Sequence, residues 1–115
     1  MSLRTKNQAI DVLHDVYHSC NAVFDKPVQD AYLYGSYARG DYNEESDIDI
    51  FLTVDAAPDE LPKYRKALSH VRGQLSLKYD KLVSIKVNSL SQFQQYGNIV
   101  PYYQNILHEG IRYAE

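Results

Sequence analysis

The chain has 115 residues, a formal net charge of -3 and one cysteine, Cys20, which suits a single domain over residues 1–115 and leaves no room for a separate substrate lobe. Without a basic run it is not expected to bind nucleic acid directly, since phosphate backbones are held by clustered Lys and Arg. A lone cysteine excludes an intrachain disulfide, and no signal peptide or apolar run near about 18 residues is present, so a cytoplasmic, soluble protein without membrane contact is expected.

Residues 6 to 24 place Ile10, Leu13, Tyr17, Cys20 and Phe24 at helical spacing, and Pro27 ends the element. A short strand follows at 30 to 34. Gly35 turns the chain into a first helical turn at 36 to 39, with Ser36 as its expected N-cap and Gly40 as its left-handed exit. Strand two is predicted at 47 to 54. Pro58 and Pro62 bracket a linker, and Leu61, Tyr64, Leu68, Val71 and Leu75 mark a second long helix.

Strand three is predicted from Lys81 to Val87, with Val83, Ile85 and Val87 facing the core. Ser89 and Gln92 have the spacing of a capping box for a short helix reaching Tyr96. A last helix, near Pro101 to Glu109, is given one apolar face by the spacing of Ile99, Tyr103, Ile106 and Leu107 and stops at Gly110. Ile111 to Tyr113 are expected to add a final strand. This order predicts an α+β fold: a small mixed β-sheet with helices packed on one face and a metal site on the open face.

The chemistry concentrates between residues 34 and 50. In Asp47-Ile48-Asp49-Ile50 the strand period sends both carboxylates to one face and both isoleucines to the core. Mg²⁺ prefers hard oxygen ligands and is usually held by one or two carboxylates together with nucleotide phosphates. Ten residues upstream, Gly35-Ser36 and the helical turn direct free N–H groups outward, and Arg39 adds a permanent positive charge suited to a triphosphate. An anion-binding turn beside a carboxylate pair is what phosphoryl chemistry requires.

Gly35-Ser36, ten residues, then Asp47-Ile48-Asp49-Ile50 resembles the signature of the DNA polymerase beta-type nucleotidyltransferase superfamily. The fuller string Gly35-Ser36-Tyr37-Ala38-Arg39-Gly40 with Ser46-Asp47 is similar to its minimal nucleotidyltransferases (MNT). The resemblance implies a polymerase beta-like fold, Mg²⁺ and ATP as cofactors, and a third carboxylate on a neighbouring strand, for which Asp80, in phase with Leu82, Ser84 and Lys86, is the candidate. Asp47, Asp49 and Asp80 are then the expected metal-binding and catalytic set, and Gly35, Ser36 and Arg39 the expected nucleotide contacts. MNT proteins are often paired with a HEPN toxin, so the resemblance implies an antitoxin that transfers AMP to a tyrosine of that partner. A transferase acting on a small molecule such as an aminoglycoside and a non-catalytic binding module are the alternatives.

Other features carry less. His14 and His18 have the i, i+4 spacing of a zinc helix, but Asp15 stands where that motif needs Glu and no third ligand is evident. Lys63, Arg65, Lys66 and Arg72 form a modest positive helix face, expected to be solvated. Tyr37 and Tyr42, two of 11 tyrosines, lie beside the motif and could stack on a base.

Overall fold

The computed structural model describes residues 6–113; the ends of the expected domain, 1–5 and 114–115, lie outside the described residues. Helix α1 (Lys6–Val23) leads into β1 (Val28–Tyr34), a single turn α2 (Ser36–Arg39) and β2 (Ile48–Val54). A 3-10 helix (Pro58–Tyr64), α3 (Arg65–Tyr79), β3 (Val83–Ser89), α4 (Leu90–Tyr96), α5 (Pro101–Glu109) and β4 (Ile111–Arg112) follow. The strands form one mixed sheet in the order β3-β2-β1-β4. β1 runs antiparallel to β2 and β4, and β2 runs parallel to β3. This is the α+β architecture expected.

β2 is one of the two interior strands, and both of its faces are covered. Ile48, Ile50, Leu52 and Val54 are fully buried against the α1 and α3 side, joined by Leu33 and Val83 from the neighbouring strands. The stripe α1 contributes is Ala9, Val12, Leu13, Val16 and Cys20, with Ile10 and Tyr17 only partly buried beside it. On the other face Phe51 is fully buried among Tyr32, Phe93 and Ile106, with Tyr34 and Tyr103 packed against them. Helices therefore sit on both sides: α1 and α3 cover one face, and the short α4 and α5 cover part of the face that carries Asp49.

Several boundaries differ from those expected, each for a local reason. The second long helix splits: Pro62 has no N–H to offer an α-helical ladder, and Pro58–Tyr64 takes 3-10 form before α3 begins. Ser89 is the residue before α4, yet its hydroxyl meets Ser91 Oγ at 2.9 Å and closes no capping box. On α5, Ile106 is buried while Leu107 faces outward, and Ile99 lies exposed in the turn before the helix; Tyr103 and Tyr102 turn toward Phe51 instead.

Because Phe51 supplies the centre of the second cluster, Phe51→Ala is expected to destabilise the protein by about 3–5 kcal/mol. Urea unfolding monitored by tyrosine fluorescence and circular dichroism checks this, and a cost near that of an exposed substitution would show that α4 and α5 do not depend on the cluster.

Candidate functional site

The site begins at the end of β1. Gly35 adopts φ 74 and ψ -154, a backbone region open essentially to glycine alone. A Cβ built there would lie 2.6 Å from Asp49 Oδ2, so the glycine is also required by how closely the carboxylate approaches. Gly35 O accepts from both Ala38 and Arg39 N–H at 3.1 Å, and Gly40 N–H closes the turn onto Ser36 O at 2.9 Å. Gly40 is left-handed, φ 92, as expected. Gly35, not Ser36, precedes the helix, and no side chain caps it; Ser36 is its first residue.

The carboxylates reach this turn through register. Tyr34 pairs with Asp49 across β1 and β2, which brings the glycine turn and the aspartate together. Asp49 is half-buried, and Asp47, just ahead of the strand, is exposed. Burial first, and Asp47 second, push the Asp49 carboxyl above the ordinary carboxylate range, while Lys86 and Arg39 pull it back. The loop before Asp47 is tied: Asn43 N–H donates to Ser46 Oγ at 2.9 Å, Glu45 N–H to Asn43 Oδ1 at 2.8 Å, and Lys81 Nζ to Glu44 O. Ser46 thus serves the turn that presents the aspartate.

As a donor set the pair is all oxygen, with like charge crowded into a half-buried position. That fits a hard divalent cation whose remaining ligands are water and phosphate. No third acid joins it, since among the described residues no group of three or more His, Cys, Asp or Glu could hold a metal. Asp80 is placed elsewhere. It ends α3 in the left-handed region, φ 52, is exposed, and precedes a strand that starts only at Val83. Opposite Asp49 on β3 stands Ser84, and Lys86 is the next residue on that face.

Arg39 Nε lies 3.3 Å from Asp41 Oδ2, and its NH1 lies 3.7 Å from Glu109 Oε2 on α5. The guanidinium is therefore held between two carboxylates beside the turn. A cavity of about 210 Å³ opens here, lined by Tyr34, Gly35, Arg39, Tyr102, Asn105 and Glu109 among others. Tyr102 donates to the Tyr34 hydroxyl at 3.2 Å, and burial raises both phenols above their ordinary value. Tyr34, Tyr102 and Glu109 were not anticipated; the Tyr34-Gly35 adjacency was a local signal for the first, whereas the other two arrive only through α5. Tyr37 is not available to a base, being fully buried with its ring stacked on Tyr42 at 4.4 Å.

The remaining candidates are structural. His14 and His18 both pack edge-on against Tyr113, and His18 Nε2 lies 3.2 Å from the Tyr113 hydroxyl. Cys20 is buried, and its thiol is pushed up to about 12.

Comparison with known proteins identifies the family and the fold. The sequence profile of the nucleotidyltransferase domain matches residues 21–112. MJ0141 of Methanocaldococcus jannaschii, provisionally named a protein adenylyltransferase, is 30% identical over 97 residues, covering 78% of this chain and 96% of the relative. MJ0604 of the same organism carries the same provisional name and is 38% identical over 78 residues, 68% of this chain and 70% of the relative. Among solved structures, a toxin–antitoxin with AMP-PNP superposes with a TM-score of 0.57 at 20% identity, covering 86% of this chain and 69% of that one. A mutant MntA-HpeT toxin–antitoxin does so at 0.52 and 20% identity, covering 95% and 71%. At these identities the structures share the fold.

The raised Asp49 carboxyl makes a stability prediction. The folded protein holds that proton more tightly than the unfolded chain, so ionisation costs stability as pH rises from the ordinary carboxylate value through the folded one. Asp49→Asn should unfold at higher temperature than wild type at neutral pH, with the advantage disappearing in acid. Thermal unfolding of both proteins across that range checks this, and an Asn variant less stable at neutral pH would remove the burial argument.

Proposed function

This chain belongs to the nucleotidyltransferase domain family, and from that premise we propose that it is an Mg²⁺-dependent protein adenylyltransferase, transferring AMP from ATP to a tyrosine hydroxyl of a partner toxin. The observation that carries the reading is the half-buried Asp49 carboxylate packed against the Gly35 turn, with Asp47 beside it. The provisional names of the two archaeal relatives support a protein as the acceptor, and the fold shared with toxin–antitoxin structures supports a toxin as that acceptor. A HEPN-type toxin is the class that the MNT resemblance implies.

In this reading Asp47 and Asp49 hold Mg²⁺, which when bound neutralises charge on the phosphate oxygens. The Gly35 turn admits the phosphates closely because no Cβ intervenes. Ser36 and Arg39 orient them, Arg39 exchanging its contacts with Asp41 and Glu109 for phosphate oxygens. The tyrosine oxygen forms a bond to the α-phosphorus, the bond from that phosphorus to the bridging oxygen breaks, and pyrophosphate leaves. The phenolic proton passes to solvent, as no third carboxylate stands beside the pair. The domain, taken as a single unit of residues 1–115, acts in the cytoplasm on a partner that completes the site wall.

One observation favours a second reading. Asp80 lies outside the pair and β3 offers Ser84 and Lys86 instead of an acid, so a module that neutralises its partner by binding alone is the alternative.

Arg39→Ala is expected to weaken Mg·ATP binding about tenfold, the loss of a charge-assisted contact; calorimetry checks it, and unchanged affinity would place Arg39 outside the nucleotide site. Incubation of the partner toxin with this protein and Mg·ATP should add AMP to a toxin tyrosine by intact mass and peptide mapping, and Asp47→Asn should abolish the addition. A toxin that is inhibited yet unmodified would select the binding module, and transfer to an aminoglycoside without any protein acceptor would replace the proposed substrate class.

A further inference from the structure

A groove of about 440 Å³ lies away from the carboxylates, between the start of α3 with its preceding 3-10 turn and the free edge of β3. Its floor is Leu61, Leu68, Ile85 and Val87, and its rim carries Arg65 and Arg72. Both arginines are exposed, and among the described residues neither takes part in an ion pair, whereas Lys63 and Lys78 are engaged by Asp25 and Asp15. The groove thus joins apolar surface to uncompensated positive charge.

The backbone beside it is also unused. β3 is the end strand of the sheet. Ile48 is in register with Val83 and donates to Leu82 O at 3.0 Å, which in a parallel ladder turns the backbone groups of Ser84 and Lys86 toward β2 and those of Ile85 and Val87 outward. No backbone partner for the outward N–H and C=O groups of Ile85 and Val87 is present among the described residues. An exposed edge of this kind is a template for another strand.

We propose that this edge binds an extended acidic segment of a partner protein by strand addition, its carboxylates meeting Arg65 and Arg72 and its apolar side chains entering the groove. Strand addition draws affinity from main-chain hydrogen bonds and selectivity from alternate side chains. Charge selects the occupant: a second copy pairing edge to edge would bring both sets of arginines to one seam, while an acidic strand neutralises them. Asp49 pairs with Ser84 on the opposite face of the sheet, so a partner held here leaves the carboxylates open. The proposal does not depend on the reaction proposed above.

The probe is an end-capped, fluorescein-labelled peptide of repeated Glu-Thr-Val-Thr, which places Glu and Val on one face of an extended strand, with the peptide carrying Lys in place of Glu as control. Fluorescence anisotropy should show saturable binding of the acidic peptide only, with slowed hydrogen exchange at the Ile85 and Val87 amides. The double substitution Arg65→Glu with Arg72→Glu, both at exposed positions, should weaken binding about tenfold. Val87→Pro deletes an outward donor without removing a bond to β2 and should weaken it as well. Absence of saturable binding, equal binding of the Lys peptide, or undiminished binding by both variants would overturn the proposal.

Discussion

The contact on which the site depends is the approach of the Asp49 carboxylate to the backbone of Gly35. It exists because Tyr34 and Asp49 are opposite one another in the antiparallel β1–β2 pair. A slip of one residue would turn Asp49 into the core and an isoleucine toward the turn, so the register is enforced by what it would cost on both faces. Ile48, Ile50, Leu52 and Val54 specify it from the α1 and α3 side, and Phe51 specifies it from the other. The same contact dictates the residue at 35, where both a positive φ and an occupied Cβ position leave only glycine.

Placing an acid in this position runs against stability. The half-buried carboxylate loses hydration and faces a second one at Asp47, and the cations Lys86 and Arg39 offset this only in part. Such a conflict between local electrostatics and packing is common where chemistry is performed. Around it the protein is conventional, with an apolar sheet face under two long helices and charged pairs such as Lys78 with Asp15 kept at the surface.

Much of this was legible because its signals are local. The Gly35 turn, the left-handed Gly40 and the alternation of Asp47 to Ile50 each need only neighbouring residues, and the helical periods of α1 and α3 are visible in any window of their length. What escaped depends on competing caps or on distance. Asp80 read as in phase with a strand starting at Lys81, but its left-handed conformation lets Lys81 N–H return to Ser76 O at 3.2 Å, and Ser76 Oγ accepts from Val83 N–H at 3.1 Å, so the strand starts later. Ser36 read as a cap, yet the glycine occupies that position. Tyr102 and Glu109 join the site from α5, a contact no local pattern encodes.

The short strand β4 has a consequence for the order in which the molecule assembles. It has only two residues, pairs with Tyr32 and Leu33, and is clasped by Arg112 on Asp30, 82 residues away in sequence. Loop closure over that distance is entropically costly and follows the β1–β2 pairing rather than leading it. The pair holding Gly35 and Asp49 is therefore expected to order first, with the α5 wall of Tyr102 and Glu109 laid against it later. By the same logic the α5 wall is expected to exchange its amide hydrogens ahead of the β1–β2 pair, so that the cavity lined by Tyr102 and Glu109 widens while Asp49 stays against Gly35.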